Sequence, residues 1–245
     1  MARDRIATSF PLARPIATEQ EQLMPRRIIG AAFVSLDGVM QAPGGPEEDW
    51  TGGFDQGGWL AALFDEGIGN QVDSVFKPPF DLLLGRRTYE IFAAHWPFAP
   101  EGDEIGDLFR TIRKYVLTTR NAPLAWAGSE RLADIDALAA LRDGEGPNLV
   151  IQGSATLYPQ LLERGLLDRI VTMTAPVVLG RGKRMFGEGT PPRSLELVEH
   201  RLTRNGIAMA TYDVKGAVEI ADFQFPEPTA EELARRARIT AGEGW

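Results

Sequence analysis

The sequence contains no cysteine and only two histidines, His95 and His200. Without thiols there are no disulfides, no thiolate zinc sites and no cysteine nucleophiles, a composition that fits a reducing compartment. Two imidazoles do not make a histidine-rich metal site, and no metal is assigned. Long apolar runs are missing as well: none approaches the roughly 20 residues needed to cross a bilayer. The opening "MARDRIATSFPLARPIATEQEQL" lacks the continuous apolar segment of a secretory signal. Positive charge is in deficit, with a net charge of -8 over 245 residues, whereas nucleic-acid proteins present broad basic surfaces to the phosphate backbone. The expectation is a soluble cytoplasmic protein with neither nucleic acid nor membrane as partner. Any cluster of arginines in it is a local feature.

What is present alternates short apolar runs with helix-like segments. Residues 1–24 carry prolines and charges without periodicity and read as a flexible tail, with Met24 a candidate natural start. Arg27 to Leu36 predicts a strand that ends in the turn "SLDG". A glycine-rich loop follows, "QAPGGPEEDWTGGFDQGG", and loops of that length in compact domains are usually functional or disordered. Trp59 to Phe76 has helical spacing, weakened at Gly67 and Gly69. Then come "DLLLGRRTYEIFAA", strand into helix; "KYVLTTR", a strand; and "NLVIQGSATLYPQLLERG", again strand, glycine turn and helix. "ADIDALAALRDG" predicts a helix capped by Asp134, with Gly144 just past its end. Strands alternating with helices imply an α/β fold with a largely parallel sheet covered on both faces. "DRIVTMTAPVVLG" predicts a further strand, and Asn205-Gly206 joins two β-rich runs into an antiparallel hairpin. Thr229 stands three residues before Glu232, a capping-box spacing. The expected division is a tail over 1–24, a domain over 25–226 and a helical extension over 227–245.

"GRRT", "TTR" and "QGSAT" all fall at carboxyl ends of expected strands, where ligands bind in open parallel sheets and helix first turns offer unpaired N–H groups. Gly85 and Gly153 permit close backbone approach. Arg86, Arg87 and Arg120 carry guanidinium groups suited to phosphate, and Thr88, Thr118, Thr119, Ser154 and Thr156 add hydroxyls. Taken singly, two adjacent arginines at a helix start are more often a solvated pair, and "QGSAT" is ordinary turn punctuation. No G-x-G-x-x-G follows the first strand. Together the three strand ends favour a ligand with several phosphates, such as a dinucleotide.

The order "VSLDGVM", "LLLGRRTYEIFAAHWP", "KYVLTTR", "VIQGSATLYPQLLERGLLDRIVTMTAPVVLGRGKRMF" resembles the dihydrofolate reductase-like superfamily, and within it the family of the riboflavin-biosynthesis reductase domain and its stand-alone relatives. The resemblance runs from about Arg26 to Val214. It implies a dihydrofolate reductase-like three-layer α/β/α fold, a mostly parallel central sheet with a C-terminal antiparallel hairpin, NADPH as reductant, and a homodimer. Carried over by motif, it places Gly85, Arg86, Arg87 and Thr88 on the pyrophosphate and adenosine phosphate side, and Thr118, Thr119 and Arg120 at the adenosine 2′-phosphate. Gln152, Gly153, Ser154, Ala155, Thr156 and Leu157 would lie along the pyrophosphate, and the backbone around Val39 and Met40 beside the nicotinamide.

The resemblance also implies one carboxylate in the helix after the first loop, supporting protonation of a pterin nitrogen. That helix offers Asp65 and Glu66, and Asp37 in "SLDG" is a second candidate; as a turn residue, Asp37 is equally suited to accepting local backbone N–H bonds. Trp50, Phe54, Asp55 and Trp59 are candidates for a flat substrate pocket or for loop anchors. His95-Trp96-Pro97 reads as a packing terminus. The zinc deaminase partner of the bifunctional riboflavin enzyme has no counterpart, because its cysteine ligands are lacking. The expected function is an NADPH-dependent reductase of a pterin-like or aminopyrimidine heterocycle, against a nucleotide-binding protein without turnover.

Overall fold

The computed structural model describes residues 25–223 and 227–243. The tail expected over residues 1–24 lies outside the described residues, as do 224–226, where the domain was expected to end, and 244–245. Eight strands form one sheet: β1 (Ile28–Ser35), β2 (Phe80–Gly85), β3 (Lys114–Leu117), β4 (Ser129–Leu132), β5 (Asn148–Gln152), β6 (Arg169–Ala175), β7 (Leu195–Leu202) and β8 (Ala208–Val214). Their spatial order is β4-β3-β2-β5-β1-β6-β8-β7. The strands from β4 across to β6 pair in parallel, while β8 pairs antiparallel with both β6 and β7. The helices are α1 (Glu66–Val75), α2 (Arg86–Ala93), α3 (Glu104–Thr111), α4 (Ile135–Asp143), α5 (Leu157–Glu163) and α6 (Ala230–Thr240).

Strand β2 shows why the sheet must be covered twice. All six of its residues are buried, the signature of a parallel strand with helices on both faces. Its side chains alternate: Leu82 and Leu84 pack with Phe76, Tyr89 and Phe109 near or on α1, α2 and α3, whereas Leu83 packs with Leu138 and Leu161 of α4 and α5. Val116 and Tyr115 divide in the same way on β3, as do Val150 and Ile151 on β5. The result is the three-layer α/β/α arrangement with a C-terminal hairpin expected from the sequence. On the α5 side, the ring of Tyr158 lies directly over Gly30 of β1; a Cβ at position 30 would stand 2.5 Å from Tyr158 Cε1.

Local signals held where caps and turns were explicit. Asp134 accepts a hydrogen bond from Ala137 N at 2.8 Å and opens α4, and Thr229 Oγ1 accepts from Glu232 N at 3.2 Å to open α6. The hairpin turns at Asn205-Gly206, with Gly206 at φ 80° and Thr203 N donating to Ile207 O at 2.9 Å. Every residue of β7 is exposed, and this edge strand carries Glu196, Glu199 and Arg201, charges that discourage further strand addition.

Other expectations are corrected. The helix anticipated over Trp59 to Phe76 begins only at Glu66, because Asp65 adopts an extended backbone and caps it, accepting from Ile68 N at 3.1 Å. Ahead of it, Ala61–Leu63 forms a single 3-10 turn. The strand expected through "DRIVTMTAPVVLG" stops at Ala175, before Pro176, which has no N–H to donate. Helix α3 and strand β4 were not foreseen.

Candidate functional site

Strand polarity brings the carboxyl ends of β1, β5, β2 and β3 to one rim, and a cleft with two arms runs along it. One arm lies over β1, β5 and β2, between Phe33, Met40 and Ala42 on one side and Thr88, Ile91 and Phe92 on the other. The second lies over β2 and β3, between Leu117, Thr118, Thr119 and Arg120 and the start of α4. Gly85, Arg86, Arg87 and Thr156 line both, so the arms meet above the start of α2.

At the meeting point two turns are tied together. Ser154 N donates to Thr88 Oγ1 at 2.9 Å, and Ser154 Oγ accepts from Gly85 N at 2.9 Å. Residues 153 and 154 both take left-handed conformations, with φ 67° and 59°. Gly153 belongs there because a Cβ would press within 3.0 Å of Thr88 Cγ2 and the conformation itself disfavours a side chain. Ser154, a non-glycine residue in the same region, is held by these bonds and by its hydroxyl donating to Gln152 O at 3.4 Å. Such local strain is characteristic of ligand-binding turns.

Of the residues expected to bind cofactor, Met40, Gly85, Arg86, Arg87, Thr88, Thr118, Thr119, Arg120, Gln152, Gly153, Ser154, Ala155, Thr156 and Leu157 line one or both arms. Val39 lines neither; it is fully buried, its N–H donating to Ser35 Oγ at 2.9 Å. The arginines differ in kind. Arg86 is engaged by the protein itself, with Nε on Glu90 Oε1 at 2.7 Å and Nη1 on Ala122 O at 3.1 Å. Arg87 is exposed and borders both arms without an ion pair among the described residues. Arg120 borders the second arm, and its backbone N–H donates to Thr118 Oγ1. Arg131, which sequence reasoning passed over, donates to Thr118 O at 3.1 Å and Thr119 O at 3.3 Å and so fixes the loop those threonines occupy. It sits on β4, the strand that was too short and polar to foresee.

The proposed catalytic and substrate residues lie elsewhere. Asp37 serves the turn: it accepts from Ser35 Oγ at 2.6 Å, Leu179 N at 3.0 Å and Gly180 N at 2.8 Å, and pairs with Arg184 at 3.3 Å. The Ser35 hydroxyl, followed by the Leu179 N–H, holds its carboxyl far below the usual range. Asp65 caps α1 and accepts from Asn205 N at 3.1 Å; partial burial works against ionisation, but these backbone bonds outweigh it and keep the carboxyl low. Neither aspartate lines the cleft, nor does Glu66. Trp50 is exposed, Asp55 pairs with neighbouring Gln56, and Trp59 donates from Nε1 to Gln41 O at 2.8 Å. Trp59 and Phe54 anchor the glycine-rich loop, Phe54 packing on Val39 and Ala42. His95 is exposed and stacks edge-on against Trp96.

In their place the loop brings Glu48 and Asp49 into the first arm, opposite Lys183. Asp49 is buried, and its burial disfavours charge, but Lys183 Nζ at 2.6 Å and Thr51 Oγ1 reverse the balance and keep it ionised. Gln41 braces the same network, accepting from Lys183 N at 3.0 Å and donating to Asp49 O and Thr51 O at 2.9 Å. Glu48 has the opposite tendency: burial pushes its carboxyl up. Its only sequence signal was the acidic run Glu47-Glu48-Asp49 inside a Gly/Pro loop after the first strand. Among the described residues, no cluster of His, Cys, Asp and Glu is arranged to hold a metal ion, and no helix is long and apolar enough to cross a membrane.

Comparison with known proteins agrees with this architecture. The family described as the RibD C-terminal domain matches residues 26–209. The uncharacterized protein YyaP of Bacillus subtilis (strain 168) is 26% identical over 203 residues, covering 79% of this chain and 98% of that protein. Among solved structures, a Shewanella sp. PV-4 protein provisionally assigned to riboflavin biosynthesis superposes with a TM-score of 0.55 at 18% identity, covering 77% of this chain and 99% of that one. A pyrimidine reductase-like protein of Corynebacterium diphtheriae NCTC gives 0.51 at 16% identity, covering 80% and 93%. At such identities the solved structures speak for the fold.

Proposed function

The chain belongs to the RibD C-terminal domain family, and on that premise we propose that it is an NADPH-dependent reductase delivering hydride to a pterin-like or aminopyrimidine heterocycle. One observation carries this reading: a single cleft joins a phosphate-suited strand-end junction to an arm walled by Phe33, Met40, Ile91 and Phe92. The residues fit the cofactor. The Gly153 turn lines the first arm, the opening N–H groups of α2 have no intrahelical acceptors, and Arg87 supplies a guanidinium without an ion pair among the described residues. Arg87, Thr88 and the Gly153–Thr156 turn would hold the pyrophosphate, with Thr118, Thr119 and Arg120 at the adenosine end and Met40 towards the nicotinamide.

When bound, reduced nicotinamide supplies the hydride. The protein's part is orientation and exclusion of water. Ser154, Thr88 and Gly85 fix the two turns against each other, Arg86 and Glu90 stiffen the first turn of α2, and the aromatic and aliphatic wall favours a planar apolar ring over water. Titration of the purified protein with NADPH and NADH, followed by nucleotide fluorescence, tests the reading. Tighter binding of NADPH is expected, and absence of binding at millimolar NADPH would sink it.

A further inference from the structure

The first arm of the cleft holds two carboxyl groups in opposite circumstances. Asp49 is neutralised by Lys183, with Nζ 2.6 Å from Oδ2. Glu48, the preceding residue, lines the same arm without a lysine or arginine at ion-pair distance among the described residues. Its Oε2 accepts from Gly44 N at 2.7 Å, which fixes the carboxyl across the turn of the glycine-rich loop. The same arm is lined by the apolar side chains of Phe33, Met40, Ile91 and Phe92. A carboxyl group in such surroundings keeps its proton more readily than one in water.

Resting on the reductase reading, we propose that Glu48 is the acid of this site, meeting the nitrogen of a substrate C=N group and supplying its proton. The Glu48 carboxyl O–H gives its proton to the nitrogen as the C=N π pair moves onto that atom. The carbon takes hydride from NADPH, which leaves as NADP+, so imine becomes amine and the resulting carboxylate is reprotonated by water. Burial is the largest influence on the Glu48 carboxyl. Asp49 on the same loop disfavours a second negative charge, whereas the N–H groups of Gly44 and Gly45 and, more weakly, His95 beyond the end of α2 favour it and are outweighed by burial; Lys183 is spent on Asp49, and Arg87 stands at the opposite end of α2. The aspartates expected from sequence have no such access, since Asp37 and Asp65 line neither arm of the cleft.

The test combines three readouts on the full chain. First, 13C NMR of carboxyl-labelled glutamate in the nucleotide-free protein, assigned with Glu48→Gln, gives the Glu48 titration directly; a midpoint above the ordinary 4.5 is expected, and one at or below it overturns the proposal. Second, NADPH binding should be the same for wild type and Glu48→Gln. Third, NADPH oxidation is followed with 7,8-dihydropterin and 7,8-dihydrofolate as probes. Glu48→Gln should lose roughly 100-fold or more in kcat, and the fall of wild-type kcat with rising pH should vanish, while Glu48→Asp keeps part of the rate and the same pH limb. A Glu48→Gln enzyme with wild-type kcat and pH profile overturns the assignment, as does NADPH binding without oxidation by either probe. Failure of the wild type to bind NADPH removes the reductase reading instead, and the NMR titration still decides the state of Glu48.

Discussion

Ser154 N donates to Thr88 Oγ1 at 2.9 Å across 66 residues of sequence, and this bond joins the turn after β5 to the first turn of α2. With the reciprocal bond from Gly85 N to Ser154 Oγ, it makes the junction of the two cleft arms one rigid piece. Thr88→Val keeps the shape and removes the acceptor, leaving a part-buried N–H unpaired. The expected cost is about 1–3 kcal/mol in urea unfolding, with weaker NADPH binding because the left-handed turn at 153–154 relaxes. An unchanged unfolding midpoint would show that water replaces the hydroxyl without loss.

The arginines should separate by readout. Arg87→Ala is expected to weaken NADPH binding roughly 30-fold, about 2 kcal/mol for one charge-assisted phosphate bond. Arg86→Ala should act mainly on stability, since its guanidinium already serves Glu90 and Ala122. Calorimetric titration of both variants checks this, and equal losses of affinity would return Arg86 to the cofactor.

Lys114 gives a pH signature remote from the cleft. It is fully buried, with Nζ 3.1 Å from Ala127 O and 4.4 Å from the Trp126 ring centroid, and burial pushes its pKa down to about 8. An unfolded lysine titrates near the ordinary value of 10.5, so between those two values the unfolded chain binds more protons. Stability should therefore rise through this window, by at most about 3 kcal/mol from this group. Denaturant titrations of wild type and Lys114→Met across that range should differ by this slope, and parallel curves would refute it.

Asp37→Asn is expected to lower the thermal midpoint by several degrees and to leave the NADPH dissociation constant unchanged, because Asp37 fastens the "SLDG" turn to Leu179 and Gly180 and stays outside the cleft. Its carboxyl is held low, so this support is present at neutral pH and fades only in strong acid. Loss of NADPH binding with an intact thermal midpoint would reverse the reading.

The strand-end motifs were legible because each element announces itself locally. "DLLLG" is a buried run closed by glycine, "NG" marks the hairpin loop closed between Thr203 and Ile207, and Asp134 with Gly144 brackets α4. The chemistry of the first arm was not, because it depends on tertiary contacts. Asp65 looked available until the hairpin brought Asn205 N to it, and Asp49 is set apart from Glu48 by Lys183, 134 residues away, which reaches it together with Thr51. Strand β4 was missed since only Leu132 of its four residues is buried, leaving almost no apolar pattern to read.

Gly30 beneath Tyr158 has a consequence for how sequences of this kind can drift. The phenol ring occupies the volume that any side chain at position 30 would need, so the two sites exchange size as a pair. An alanine or valine on β1 becomes tolerable only after a smaller residue has taken the place of Tyr158 on α5. Neither step is comfortable first: enlarging position 30 drives a clash into the sheet, and shrinking position 158 opens a hole against it. Descendants of this chain would therefore be expected to hold both residues together or to have replaced both.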